Sequence, residues 1–248
     1  MNERKFDKKG ELYAKFRPNY PADFFNYLYT NVGMTKNSVI ADIGSGTGIL
    51  SKHLLERCSK VYAVEPNEDM RKIAQNELQQ FDKFVSVCAT AENTSLDIKS
   101  VDFITVGQAF HWFDKPLFYN ECKRILKDNG KIILVWNVRD SQNNLIIENA
   151  AIDKIYCPDF KGFSAGAADK DLTNFFISGY DTRIFENIVI LNEEQFIGRN
   201  LSSSFAPNEG DENYIPYVKA LKSLFSRFCK GNSLAFGYLT YSYTGIIC

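Results

Sequence analysis

The stretch Val39–Gly48 constrains this chain more than any other. A β-branched apolar run, Val39–Ile43, passes into Asp42-Ile43-Gly44-Ser45-Gly46-Thr47-Gly48, and a helical pattern follows over Thr47–Cys58. Glycines let a backbone turn tightly and come close to a ligand, and the helix N-terminus behind them offers free amides. A strand, a glycine turn and a helix in that order open a βαβ unit, so a parallel sheet is expected.

The next hundred residues continue the pattern. Apolar runs at Val61–Glu65, Phe84–Cys88, Asp102–Val106 and Lys131–Trp136 are continuous rather than alternating, as strands covered on both faces should be. Helical patterns separate most of them. Asn67 is a candidate N-cap for Asn67–Gln80, and Asp114 for a helix carrying Leu117, Phe118, Cys122, Ile125 and Leu126 on one face, with Gly130 at its end. Farther on, Ser141–Ile155 and Asp169–Ile177 read as short helices, Thr182–Leu191 as a strand, and Glu193–Ser203 as a helix with an Asn192/Gln195 capping box. Tyr214–Lys230 is an amphipathic helix and Ser233–Tyr243 an aromatic-rich strand. The expected fold is α/β, a doubly wound, mostly parallel seven-stranded sheet. One domain is expected over 1–248. It divides into an N-terminal cap (1–35), a ligand-binding core (36–137), an insertion shaping a second pocket (141–179) and C-terminal strands and helices (182–248).

Composition narrows the partners. Twenty-nine basic side chains face 30 acidic ones, a net charge of -1, so nothing favours a nucleic-acid partner. Cys58, Cys88, Cys122, Cys157, Cys229 and Cys248 form no C-x-x-C pair, and His53 and His111 stand alone. Neither a metal site nor a disulfide framework is legible, and buried free thiols are expected. The start MNERKFDKKG lacks the apolar core of a signal peptide and no apolar run is long enough for a membrane span, so a cytoplasmic protein is expected. No heptad or symmetric patch reveals an oligomeric state.

Ligands of open α/β sheets lie at the carboxyl ends of the strands, beside the switch in strand order. Glu65, ending the second strand, is placed to accept hydrogen bonds from ribose hydroxyls. The dinucleotide pattern G-x-G-x-x-G would need a glycine at position 49, which is Ile49. That spacing counts against a nicotinamide-dependent oxidoreductase, a reading that stays as an alternative.

The runs Val39–Gly48, Val61-Tyr62-Ala63-Val64-Glu65-Pro66 and Ala89-Thr90-Ala91-Glu92 resemble the class I S-adenosylmethionine-dependent methyltransferases of the UbiE/small-molecule type. Tyr13–Pro21, Gln108-Ala109-Phe110-His111-Trp112-Phe113-Asp114, Arg199–Pro207 and Thr240–Tyr243 resemble the trans-aconitate methyltransferase-like subgroup. The resemblance implies an antiparallel last strand and S-adenosylmethionine as methyl donor, with no metal. It also implies roles. Asp42, Gly44, Ser45, Gly46 and Gly48 would hold the methionine end and Glu65 the ribose, with Pro66 beside it. Thr90, Ala91 and Glu92 would border adenine, Gln108 and Ala109 the methionine portion, and Tyr13 and Arg17 would close over the cofactor. Rival readings stand beside these: Asp42 as a turn cap, Glu92 as a helix-start carboxylate, Arg17 and Tyr20 as pins for the N-terminal arm.

A sulfonium methyl needs chiefly an aligned acceptor and exclusion of water. The expected acceptor is a small molecule, with a carboxylate oxygen favoured by the subgroup resemblance; such an acceptor needs no base. His111 is the candidate base or acceptor contact, or else a loop-packing residue. Tyr20, Trp112, Trp136 and Asn137 are expected near the acceptor, and Arg199 is either an anchor for an acidic acceptor or a surface ion pair. A non-catalytic S-adenosylmethionine-binding regulatory module is the other alternative.

Overall fold

The computed structural model describes residues 17–57, 60–163 and 169–247. Its strands are β1 (Val39–Ile43), β2 (Lys60–Val64), β3 (Phe84–Val87), β4 (Val101–Gly107), β5 (Leu126–Arg139), β6 (Tyr180–Leu191) and β7 (Leu234–Gly245). They form one sheet in the order β3-β2-β1-β4-β5-β7-β6. β1 pairs in parallel with β2 and β4, β2 with β3, and β4 with β5. β7 is antiparallel to both β5 and β6, inserted between them. The sheet and the antiparallel last strand are those expected from the sequence. Strand order reverses beside β1, where β2 lies on one side and β4 on the other, and this is where a ligand crevice opens in such sheets.

The helices are α1 (Ala22–Tyr27, running on as a wider π-type turn over Leu28–Val32), α2 (Ile49–Leu55), α3 (Glu68–Leu78), α4 (Lys115–Ile125), α5 (Asn144–Tyr156), α6 (Asp169–Phe175), α7 (Glu193–Leu201) and α8 (Tyr214–Phe228). Apolar clusters cover both faces of the sheet, which is why the central strands carry unbroken apolar runs. One holds Phe24, Phe25, Leu28, Leu54 and Val135; the other holds Ile104, Phe110, Phe118, Trp136 and Phe175. A third, around Tyr217, Leu221, Phe196 and Phe236, joins α7 and α8 to the outer strands.

Three readings need correction. Gly130 does not close a helix: α4 stops at Ile125, and Gly130 lies inside β5, where a Cβ would come 2.6 Å from Leu126 Cδ2 and 3.1 Å from the Asp102 carbonyl oxygen. Close approach, not a left-handed turn, selects glycine there. The helix after the glycine loop is shorter than expected, beginning at Ile49, because Gly48 at φ +83° cannot belong to it. Of the described cysteines, Cys122 and Cys157 are buried, but Cys88 is exposed. α1 was not anticipated, although Phe24, Phe25, Leu28 and Val32 recur at helical spacing behind Pro21. Asn143 caps α5, and the Asn192/Gln195 capping box forms as expected.

Candidate active site

The glycine loop leaves β1 at the switch point and folds back on β2. The amides of Gly44 and Ser45 both donate to the Val64 carbonyl oxygen (2.8 and 3.1 Å), and the Gly48 amide donates to the Ser45 carbonyl. The Gly46 amide donates to Glu65 Oε2 (2.9 Å) while the Asn67 amide donates to Oε1 (2.9 Å). The loop amides are thus largely engaged, against the expectation of free donors. What the loop turns outward is side chain: Ser45 Oγ and Thr47 Oγ1 are buried and have no hydrogen-bond partner among the described residues. Gly44, Gly46 and Gly48 all have positive φ, and a Cβ on Gly44 would lie 2.7 Å from Ala109 Cβ.

Asp42 sits under the loop, 1% exposed. Ser51 Oγ donates to its Oδ2 (2.6 Å) and Thr105 Oγ1 to its Oδ1 (2.9 Å), which ties α2 and β4 to β1. Burial pushes its carboxyl up to about 6; the two hydroxyls pull it down and nearby Glu65 adds to the rise. It remains mostly ionised at neutral pH. Asp42 therefore does not cap the turn through the loop amides.

These residues open onto a cleft of about 480 Å³, part of it open to solvent, walled by Asp42, Ser45, Thr47, Gln108, Asn137 and Arg17. Gly44, Gly46, Tyr20 and Gly107 also line it. Gln108 holds a left-handed conformation (φ +59°), its amide bonded to the Val135 carbonyl and its side chain to the Asn137 carbonyl. Strain at a non-glycine residue is characteristic of functional loops. Asn137 Nδ2 reaches the carbonyls of Pro18 and Asn19 (3.4 and 3.3 Å), while its Oδ1 accepts from Thr240 and Asn187. Asn187 also donates to the Asn19 carbonyl (2.8 Å). The segment carrying Arg17 and Tyr20 is thereby fastened over the cleft.

Other expected site residues lie outside the walls of this cleft. Tyr13 lies outside the described residues. Ala91 is buried and Thr90 bridges Asn93, beyond β3. Glu92 Oε1 accepts the Asp114 amide, so it supports the start of α4. Pro66 lends its carbonyl to Arg71. The His111 and Trp112 rings touch at a tilt (4.6 Å between centroids) on an exposed turn outside the cleft wall, and partial burial, then Lys115, lowers the imidazole pKa. Trp136 does not face the cleft. It is 1% exposed and packs edge-on against Phe110 and Tyr243, because neighbouring residues of a strand point to opposite faces and Asn137 takes the cleft side. Arg199 is no surface residue either: it is 6% exposed and Nε donates to Tyr238 Oη (2.6 Å).

Residues 41–134 match the family described as "Methyltransferase domain". Over that stretch the chain is similar to methyltransferase domains. An uncharacterized methyltransferase of Mycobacterium tuberculosis is 36% identical over 130 residues, 52% of this chain and 51% of the relative. A malonyl-[acyl-carrier protein] O-methyltransferase of Marinomonas is 27% identical over 139 residues, 52% of this chain and 49% of the relative. The chain thus spans about half the length of the curated relatives it matches. In fold, a type II methyltransferase structure from Anaeromyxobacter dehalogenans superposes with a TM-score of 0.70 at 23% identity, covering 93% of this chain and 97% of the other. The matched methyltransferase domain ends within β5, so Asn137, Asn187 and Thr240 lie beyond it. The sequence reading missed the last two; both strands mix polar and apolar residues, so nothing local marks either position. Among the described residues no helix is long and apolar enough to cross a membrane.

Proposed function

We propose that this chain moves the methyl group of S-adenosylmethionine onto a small-molecule acceptor, by direct in-line transfer to an oxygen of a small acid. The observation that carries the reading is the pair of buried, partnerless hydroxyls, Ser45 and Thr47, in a cleft whose wall also holds ionised Asp42. Partnerless hydroxyls are costly unless a ligand satisfies them. The donor set suits an amino-acid end carrying one ammonium and one carboxylate: Asp42 matches the first in charge, Arg17 the second. Gly44, Gly46 and Gly48 give that end close backbone approach. Gln108 and Ala109 would border it, Glu65 would take the ribose, and Pro66, Thr90, Ala91 and Glu92 would flank the adenosine. The amides of Gly46 and Asn67 hold the Glu65 carboxylate at the end of β2, where the ribose would lie.

S-adenosylmethionine supplies, when bound, a sulfonium methyl already activated toward nucleophiles. The work of the chain is then to orient and to exclude water. Arg17 and Tyr20 cover the cleft, and Asn137 fixes the cover to β5. An acid ionised at neutral pH needs no proton removed, which fits a cleft wall without an imidazole; the trans-aconitate-like resemblance and the O-methylating relative point the same way. The chain would act as a cytoplasmic enzyme, on a small molecule rather than a nucleic acid. Calorimetric titration with S-adenosylmethionine, S-adenosylhomocysteine and NAD tests the reading. Saturable binding of the first two is expected, at least tenfold weaker in a folded Glu65→Ala variant. Binding of NAD alone would refute it.

A further inference from the structure

Beside the cleft, the outer strands and their helices enclose an unusual concentration of buried charge. Arg139 is 6% exposed, Asp153 is fully buried and Arg199 is 6% exposed. Arg139 Nη1 donates to Asn149 Oδ1 (3.2 Å) and lies 3.5 Å from Asp153 Oδ2. Asp153 Oδ1 accepts the Tyr217 hydroxyl (2.6 Å), and burial pushes its carboxyl up. Arg199 holds Tyr238 through Nε, and its Nη1 is buried with no hydrogen-bond partner among the described residues. Burial, then the neighbouring Arg199, lowers Arg139 to about 10, so it stays protonated at neutral pH.

Both buried guanidinium groups act on the Asp153 carboxylate, but among the described residues only Arg139 pairs with it. A buried charge without a counter-ion is costly, and a guanidinium fork is shaped for a planar anion. The cluster adjoins the cleft. Arg139 is the next residue after Asn137 on the same side of β5, about 6–7 Å along the strand. Tyr238 is Cα-paired with both Arg139 and Asn187, and Asn187 touches Asn137. The half-buried Phe163 ring covers the Arg139 guanidinium at 3.9 Å.

We infer that Arg139 and Arg199 form the anchor for a carboxylate of the methyl acceptor, one set apart from the atom that is methylated. A carboxylate held by two guanidiniums is a poor nucleophile, and the cluster stands a strand repeat beyond the cleft wall, so the reacting group is a second one on the same molecule. The acceptor class is a small acid with a carboxylate at one end and its methylated group at the other. The assignment to the acceptor rests on the methyl-transfer reading above; the anion site does not.

Thermal melting of the full chain tests the inference. It is read with glutarate, with 4-hydroxybenzoate, with the uncharged glutaramide and 4-hydroxybenzamide, and with inorganic phosphate, each with and without S-adenosylhomocysteine. A carboxylate should raise Tm by several degrees where its amide does not. In Arg199→Met the response should vanish while the unliganded Tm holds or rises, because an uncompensated buried charge has gone. A merely structural arginine would give the reverse, a fall in Tm. If Arg199→Met does not fold, Arg199→Lys decides: it keeps the charge but loses the fork, and should need at least tenfold more carboxylate for the same shift. No response to either carboxylate, a response unchanged in the Arg199 variants, or an equal Arg199-dependent response to phosphate would overturn the inference. The S-adenosylhomocysteine arm is independent: its failure with the carboxylate response intact would refute methyl transfer and leave the anion site standing.

Discussion

Replacing Asp42 by asparagine should make the protein more stable at neutral pH and remove one limb of its pH dependence. The carboxyl is buried and its pKa rises from 3.8 to about 6 in the folded chain. A group raised on folding stabilises the folded state fully below its unfolded value and loses that contribution as pH climbs through the folded value. From well below pH 4 to well above pH 6 the native protein should therefore lose about 3 kcal/mol from this group, about 2 of it between pH 4 and pH 6, at about 1.4 kcal/mol per tenfold change in proton affinity. Asparagine can keep both contacts, accepting from one hydroxyl and donating to the other, since Ser51 and Thr105 hydroxyls can do either. Urea denaturation of both proteins at steps from pH 4 to pH 8 isolates the term, because other carboxylates cancel in the difference. The advantage of Asp42→Asn should grow by about 2 kcal/mol across that range, levelling off above about pH 7. A difference flat in pH, or one that shrinks as pH rises, would show that burial does not govern this carboxyl. The same variant should bind S-adenosylmethionine more weakly, which would make the cost of the charge the condition for its use.

Two further outcomes concern the cleft. Gly44→Ala should lose about 2–5 kcal/mol in urea denaturation, combining a left-handed alanine with a methyl pressed against Ala109, whereas Gly46→Ala, with its nearest atom at 3.7 Å, should lose only about 1–2. Equal losses would mean that the contact with Ala109 is relieved at no cost. His111→Ala should leave kcat within about twofold once an acceptor is found; a drop of about a hundredfold, the scale of a missing general base, would return that role to the imidazole.

The sheet was legible because its evidence is local and repeated. Val39–Gly48 signals a strand, a turn and a helix with residues adjacent in the chain, and Glu65 follows from the same frame. Gly130 misled because glycine marks both helix ends and close approaches, and only the packing of Leu126 against β4 separates them. Trp136 could have been excluded from the cleft by alternation alone, once Asn137 was placed there. Arg199 was harder. Its burial depends on Tyr238, 39 residues later, and on a helical layer of α5, α7 and α8 whose inner face no local pattern identifies. The contact of Asn187 with Asn19 spans 168 residues and leaves no mark near either.

The insertion of β7 between β5 and β6 sets the order in which the molecule can be completed. A ribosome releases β6 before the strand that must lie between it and β5, so β6 has no place in the sheet until residues 234–245 arrive. Thr240 and Asn187, which fasten Asn137 and Asn19, come with that final pairing. A nascent chain can therefore hold a finished glycine loop while the segment over it is tied by Asn137 without the Asn187 contact. Such long-range pairing is slow compared with local structure. The roof of the cleft gains its Asn187 and Thr240 ties only with that pairing, so a lesion in β7 would be felt at Arg17 and Tyr20.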